Sequence, residues 1–437
     1  MTSSVERLAP PPDSLWRHRD FLLFWSGETI SLFGSQVTVL ALPLTAIFVL
    51  HATPFELGLL NAASFAPFLV ATLPAGAWLD RRRKRPVLLA SNLIRASVIG
   101  VVPIAAVGGW LSLELLYAVA LLHGVLAVMY DVGWLSFVPS LVSRERVVAA
   151  NSRLQASASA AQVGGPAIGG ILVQVLTAPA ALAVDACSFA FSAVTLALLH
   201  PKEPPRRADR PRHLVSEIVD GLNVTFRNPK LRAMALNAAA FNLFDQVIYT
   251  VFLLYAVGPL GLSAGLVGGI IGVGAIGSLI GALGAERLGQ RIGIGRAMME
   301  MSVVSSITAV AIPFVGGDKP AIVALLSGVF LVQGIGLGVT NVYFVSLRQA
   351  LTPSDLLGRM NASYRTITFG AIPVGALVGG VLAQLIGLRG ALLIGGIGLL
   401  CTPLLIMASP VRGVRELPSE PEIPAAAQGR SASATSQ

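Results

Sequence analysis

The sequence predicts an all-α polytopic membrane protein with twelve transmembrane helices in two six-helix repeats. Three observations lead there. Of 437 residues, 54% are hydrophobic and only 12% charged, about half the share in a soluble domain, and the mean hydropathy is +0.75. The apolar runs tile at about 22 residues each, roughly the length that crosses a bilayer. The two halves of the chain also match at one constant offset of 210 residues.

The elements follow in order. Residues 1–20 are a polar stretch without an apolar core or a small-residue cleavage site, so the first span is expected to act as its own uncleaved insertion signal. That span is expected at 21–50, and the connector 51–54 leads through Pro54 into the second, 55–79. A basic run follows, then the third span at 86–108, a connector at 108–111 and the fourth at 112–139. The fifth, 148–175, and the sixth, 178–200, are separated by 177–179. Residues 201–230 read as a cytoplasmic linker. Its start is rich in Pro and Arg; then Leu214, Ile218, Leu222 and Phe226 recur at helical spacing, as in a short amphipathic helix on the membrane surface. The second bundle, 231–408, holds spans at 231–258, 262–288, 297–317, 320–349, 359–385 and 388–408, with odd connectors at 258–262, 316–320 and 387–389. Residues 409–437, rich in Ala, Ser and Glu, are expected to be a disordered cytoplasmic tail.

Charge sets the sidedness. Of 31 Lys and Arg, Lys319 and Arg389 lie on odd connectors and Arg95 inside the third span, while all the others lie on the even side or at span ends facing it. The positive-inside rule then puts both termini and the even loops in the cytoplasm of a cell inner (plasma) membrane. The net charge of +9 is thereby explained by topology and anionic headgroups, and no basic soluble domain exists to bind nucleic acid. Cys187 and Cys401 stand alone in apolar runs, so neither a disulfide nor a metal site is expected.

The repeat is carried by polar positions. Asp131, Ser136, Glu145 and Asn151 correspond to Asn341, Ser346, Asp355 and Asn361; Gly165, Gly169 and Gly170 to Gly375, Gly379 and Gly380; Gln36 to Gln246 and Gly58 to Gly268. Parallel six-helix repeats mark one class of secondary transporter, with the substrate site near the midplane between them.

Residues 76–85 contain Gly76, Asp80, Arg81, Lys84 and Arg85 in a spacing that resembles the cytoplasmic loop motif of the major facilitator superfamily. Trp78 and Arg83 stand where that motif has Leu and Gly. Residues 137–170 sharpen the likeness: Pro139, Leu141, Val142, Glu145, Ala150 and Asn151, then Gly165, Pro166, Ala167, Gly169 and Gly170, resemble the drug/proton antiporter branch that includes macrolide efflux proteins and the enterobactin exporter. The resemblance implies that Asp80 and its basic neighbours latch the cytoplasmic gate. It also implies that the glycine and proline motif belongs to a helix interface that moves, although small residues also serve simple close packing.

Ionisable residues inside spans are functional hypotheses, because charge is costly there. Asp245, near the middle of the seventh span, leads the candidates for proton coupling, followed by Glu28 and Asp131; Asp185 ranks below them. Arg95 and Arg365 are candidate pairing partners. The first span carries a stripe of Glu28, Ser31, Ser35 and Thr38, and the seventh carries Asn242, Asp245, Gln246 and Tyr249. The fourth carries His123, Tyr130, Asp131 and Trp134; its repeat partners on the tenth include Gln333, Asn341 and Phe344. The resemblance implies that these four spans line a substrate cavity.

No P-loop surrounds any of the four lysines, Lys84, Lys202, Lys230 and Lys319, so a primary pump is disfavoured. No metalloprotease or nucleophile-elbow motif occurs, so the chain is not expected to be an enzyme or to need a cofactor. The sequence reading is a secondary active transporter, expected to be a monomer. The resemblance implies that it exports an amphiphilic small molecule (a drug, siderophore or other secondary metabolite) in exchange for protons. A lipid or lysophospholipid mover, or an importer on the same fold, is the alternative; a receptor without transport is disfavoured by the lack of soluble domains.

Overall fold

The computed structural model describes residues 15–79, 82–200, 214–353 and 356–418. Asp80 and Arg81 of the expected gate, the linker 201–213 and the tail beyond 418 lie outside these residues. Among the described residues, ten helical stretches are long and apolar enough to cross a bilayer. Nine are single spans: Arg19–Phe48, Lys84–Gly108, Leu113–Phe137, Val147–Leu176, Ala178–Ala197, Pro229–Val257, Ala264–Ile292, Ile294–Ala311 and Lys319–Leu351. The tenth stretch contains Leu357–Cys401, which holds both the eleventh and twelfth spans. They part at Gly387, whose φ of 80° and ψ of 166° are non-helical.

The second span is in two pieces, Pro54–Val70 and Thr72–Leu79, where an unbroken 55–79 was expected. Pro74 has no N–H to return to the Val70 carbonyl, so the ladder fails at that point. The Thr72 hydroxyl instead donates to the Phe68 carbonyl at 2.6 Å. The amphipathic pattern does form a helix, Leu214–Arg227. It packs against the seventh and eleventh spans, with Gly221 set against the backbone of Arg359. Residues 410–413, placed in the expected tail, form a short helix. The Val414 and Arg415 carbonyls accept from the N–H groups of Gly295 and Ile294 at 2.7 and 3.2 Å, which occupies donors that open the ninth span.

The 210-residue repeat is also written into the backbone. His51 has φ of 51° and its partner Gly261 has 58°; Thr177 has 99° and its partner Gly387 has 80°. Two of these turns use glycine, for which a positive φ is cheap, while their partners use side chains that must be held there by the fold. The bonds Ala52 N–H to Ala46 O and Leu262 N–H to Ala256 O are the same contact in each half, both 2.9 Å.

The halves meet through the second span against the eleventh and the fifth against the eighth. Repeat-related glycines face each other across both seams. A Cβ at Gly58 would sit 2.6 Å from the Ala376 carbonyl and 3.1 Å from Gly380 Cα; one at Gly170 would sit 3.1 Å from Gly268 Cα. Both seams lie toward the odd connectors. Side chains bridge there too: Asn61 Nδ2 donates to Thr250 at 3.2 Å, and Gln174 Oε1 accepts from Ser263 and from Gly265 N–H at 3.0 and 3.2 Å. One apolar core at this end draws on both halves. Toward the even connectors there are two cores instead, one in each half. The molecule is closed on the odd side and parted on the even side.

Adjacent positions on the eighth span test this seam. Gly268 has Gly170 against it, whereas nothing lies within 4 Å of a Cβ at Gly269. Overpacking is costly, so Gly268→Val should cut transport by about tenfold or more with insertion intact, while Gly269→Val should stay within about twofold. Transport assays at matched expression decide between them.

Candidate functional site

The N-terminal half is a bundle tied together by a buried polar network. Arg95, from the third span, stands at its centre, with its guanidinium carbon 3.8 Å from the centroid of the Phe189 ring. Its Nη2 lies 3.5 Å from Ser35 Oγ and 3.4 Å from His123 Nε2. Asp185, Asp131 and Glu28 all lie within its electrostatic reach. Each of two acids has its own donors. The Tyr130 hydroxyl donates to Glu28 at 2.5 Å, and Asp185 accepts from Thr38 and from Ser188, the latter at 2.9 Å. Asn92 Nδ2 donates to Ser192 at 2.9 Å nearby. Most members are satisfied, as such networks require, while Arg95 Nε and Asn92 Oδ1 are buried without a partner.

The C-terminal half is built differently, because the repeat positions of that network hold small groups. Glu28, Arg95, Tyr130 and Asp185 correspond to Ala238, Ser305, Thr340 and Gly395. Ala238, Ser305 and Thr340 line a cavity of about 330 Å³. A second cavity, about 450 Å³, lies between the halves, with Ser159 and Gln162 of the fifth span on one wall and Ser278 of the eighth on the other. Asp245 lines both cavities. Gln333 Nε2 is 3.5 Å from its carboxylate, a long contact by hydrogen-bond standards.

The structure sorts the residues expected to form the substrate site. Asn242, Tyr249, Gln333, Asn341 and Phe344 line one cavity or both, and Asn242 Nδ2 also donates to the Thr368 carbonyl at 2.8 Å. Gln246 is buried and donates to Thr250 at 3.3 Å. Ser35, Thr38, His123 and Tyr130 belong to the Arg95 network; Ser31 is buried on the same helix, and Trp134 packs on the even-side core of the N-terminal half. Asp131 lies within electrostatic reach of Arg95 and, across the opening, of Arg365.

Residues missed by pattern reading include Ser159, Gln162, Ser302, Ser305, Arg348 and Tyr364. Arg348 follows Asn341 by seven residues and so shares its helix face. The serines at 302 and 305 carried the same signal at three-residue spacing.

The basic loop after the second span does structural work in its described part. Arg85 Nε and Nη2 donate to the Leu196 and Ala197 carbonyls at 2.9 and 2.5 Å, and Lys84 Nζ donates to the Ser136 carbonyl at 3.1 Å. Cations at helix C-termini are favourable, and here they join the third span to the fourth and sixth. Gly76 faces Val132 of the fourth span. The Gly165–Gly170 motif has two working faces. Gly165 and Gly169 press on Gln36 and Val37 of the first span, while the Pro166 carbonyl and Gly170 press on the eighth across the seam.

Comparisons with known proteins agree with this geometry. A sequence profile of the Major Facilitator Superfamily matches residues 24–374. The multidrug efflux pump Tap of Mycobacterium tuberculosis is 26% identical over 403 residues, covering 89% of this chain and 92% of its own. Macrolide efflux protein A of Streptococcus pyogenes is 22% identical over 414 residues, covering 91% and 97%. A mutant of the nucleoside transporter NupG superposes with a TM-score of 0.72 at 15% identity, covering 89% of this chain and 99% of the other.

Removing a partner from a buried charge network is costly, so Arg95→Gln should destabilise the protein by about 3–5 kcal/mol. Arg296→Gln breaks only an exposed i,i+4 pair of 2.7 Å and should cost no more than about 0.5 kcal/mol. Thermal unfolding in detergent separates the two; equal shifts would mean that Arg95 does not hold the bundle.

Proposed function

The chain belongs to the Major Facilitator Superfamily, and within it we propose a proton-coupled exporter of an amphiphilic small molecule, working by alternating access. The observation that carries this reading is the position of Asp245. Its carboxylate stands in the wall of both interior cavities, beside Gln333 and Tyr249, rather than inside a locked network. An acid in a cavity that is wet in one state and closed in another binds its proton on one side and releases it on the other. Glu28 and Asp131 are the next candidates, but Glu28 already accepts from Tyr130.

Substrate enters between the halves from the even side, which the charge distribution assigns to the cytoplasm of the plasma membrane. Aromatic walls from Tyr249, Phe252 and Phe330 supply apolar contact, and Asn341 and Gln333 fix orientation. The efflux activity named for Tap and for macrolide efflux protein A supports export over import. A lipid mover on the same fold remains the runner-up.

Two experiments test this. Asp245→Asn mimics the protonated acid. Exchange of substrate without a gradient should continue once substrate is saturating, while uphill export driven by a pH gradient should fall by about a hundredfold, the scale of losing a proton-transfer group. If Asp245→Asn still pumps uphill, the same substitution at Asp131, and Glu28→Gln, will show whether the proton resides there. For orientation, Gly316→Cys on an odd connector should react with an impermeant thiol reagent in intact cells, and Ala208→Cys should not.

A further inference from the structure

The cavity of about 330 Å³ carries opposite charges along its length. Asp245 and Leu337 line both cavities and so mark its deep part, and Arg348 lines it further along the tenth span. Arg348 follows Leu337 by eleven residues, about 16 Å of helix rise toward the even side. Its guanidinium carbon lies 4.1 Å from the centroid of the Tyr364 ring, and its Nε is buried without a hydrogen-bond partner. Tyr364 meets the guanidinium with its ring and with a side-chain hydrogen bond, but Nε is left without an acceptor, which is costly when buried. Between the charges the wall is aromatic, from Phe241, Phe344 and Phe369.

We infer that this cavity binds an elongated zwitterionic amphiphile, with its cationic group at Asp245, its aromatic body along the phenylalanines and its carboxylate on Arg348. The inference rests on the exporter reading of the same cavity and narrows its substrate class. A planar fork of N–H donors is suited to a carboxylate and would make the acceptor bond that Nε now lacks. A simple lipophilic cation would satisfy Asp245 and leave Arg348 Nε without an acceptor, and a simple anion would leave Asp245 without a cation. The substrate therefore needs both charges, separated by an apolar body.

The test uses the purified full chain in detergent and two fluorescent xanthene dyes. One is a rhodamine with a free benzoate; the other is its methyl ester, which keeps the delocalised cation and loses only the negative charge. Fluorescence polarisation gives both affinities without reference to export direction or to protons. The wild-type protein should bind the free acid about tenfold or more tightly than the ester, the scale of a charged hydrogen bond. Arg348→Gln should erase that preference by weakening the acid, with the ester held within about twofold, which also reports an intact fold. Arg348→Lys, which keeps the charge without the fork, should retain part of the preference. Equal binding of the two dyes by the wild type, binding of neither, or an unchanged preference in Arg348→Gln would overturn the inference. A protein that keeps the preference but exports nothing would sink the exporter reading and leave the zwitterion site standing.

Discussion

The fold depends on backbone-to-backbone approach between its two halves. Where the second span meets the eleventh and the fifth meets the eighth, glycines leave no room for a Cβ: Gly58 faces Gly380, and Gly170 faces Gly268. In a membrane the hydrophobic effect does not drive helices together, so close packing and hydrogen bonds must do so. The two seams are related by the internal repeat, which makes the interface self-complementary within one chain. They seal the odd side, and the even side is left with two separate cores and the space between them. The position of the cavities follows from where the glycines stop.

The second organising feature is a division of labour between halves that share one ancestral pattern. In the first half Glu28, Arg95, Tyr130 and Asp185 fill the bundle interior with a bonded network. In the second half the same positions hold Ala238, Ser305, Thr340 and Gly395, and the volume released becomes cavity. The Ser35 position exchanges with Asp245, and the His123 position with Gln333. Ser35 and His123 approach Arg95, while their counterparts approach each other. One half is thereby filled by its network, and the other lines the cavities with Asp245.

Much of this was legible in the sequence. Span number and the short odd connectors followed from hydropathy and from glycine and proline, because in a bilayer every backbone group must be satisfied within helices. The 210-residue offset foretold repeat-related seams, although it pairs Gly58 with Gly268 by descent, whereas the fold sets Gly58 against Gly380 and Gly268 against Gly170, themselves a repeat pair. The sequence could not say which polar stripe faces a cavity. Ser35, Thr38 and Tyr130 of the first and fourth spans look the same in sequence as Asn242, Tyr249 and Asn341 of the seventh and tenth until the helices are packed. Arg348 was counted as a topology charge because it stands at a span end, and only its burial against Tyr364 reveals another use. The break in the second span was written in Pro74 but hidden by the apolar residues on either side.

If the two halves rock as rigid bodies about the glycine seams, distances on the two sides must change in opposite senses. Spin labels at Val148 and Gln290 report the even side, and labels at Val107 and Phe314 report the odd side; all four positions are exposed. Pulsed dipolar spectroscopy in liposomes, with and without a transported substrate, measures both pairs. The account predicts that as the even-side pair shortens the odd-side pair lengthens, and that Gly268→Val, which wedges the seam, shifts both toward the odd-open distances. Two pairs that lengthen together, or one that moves while the other stays fixed, would contradict it.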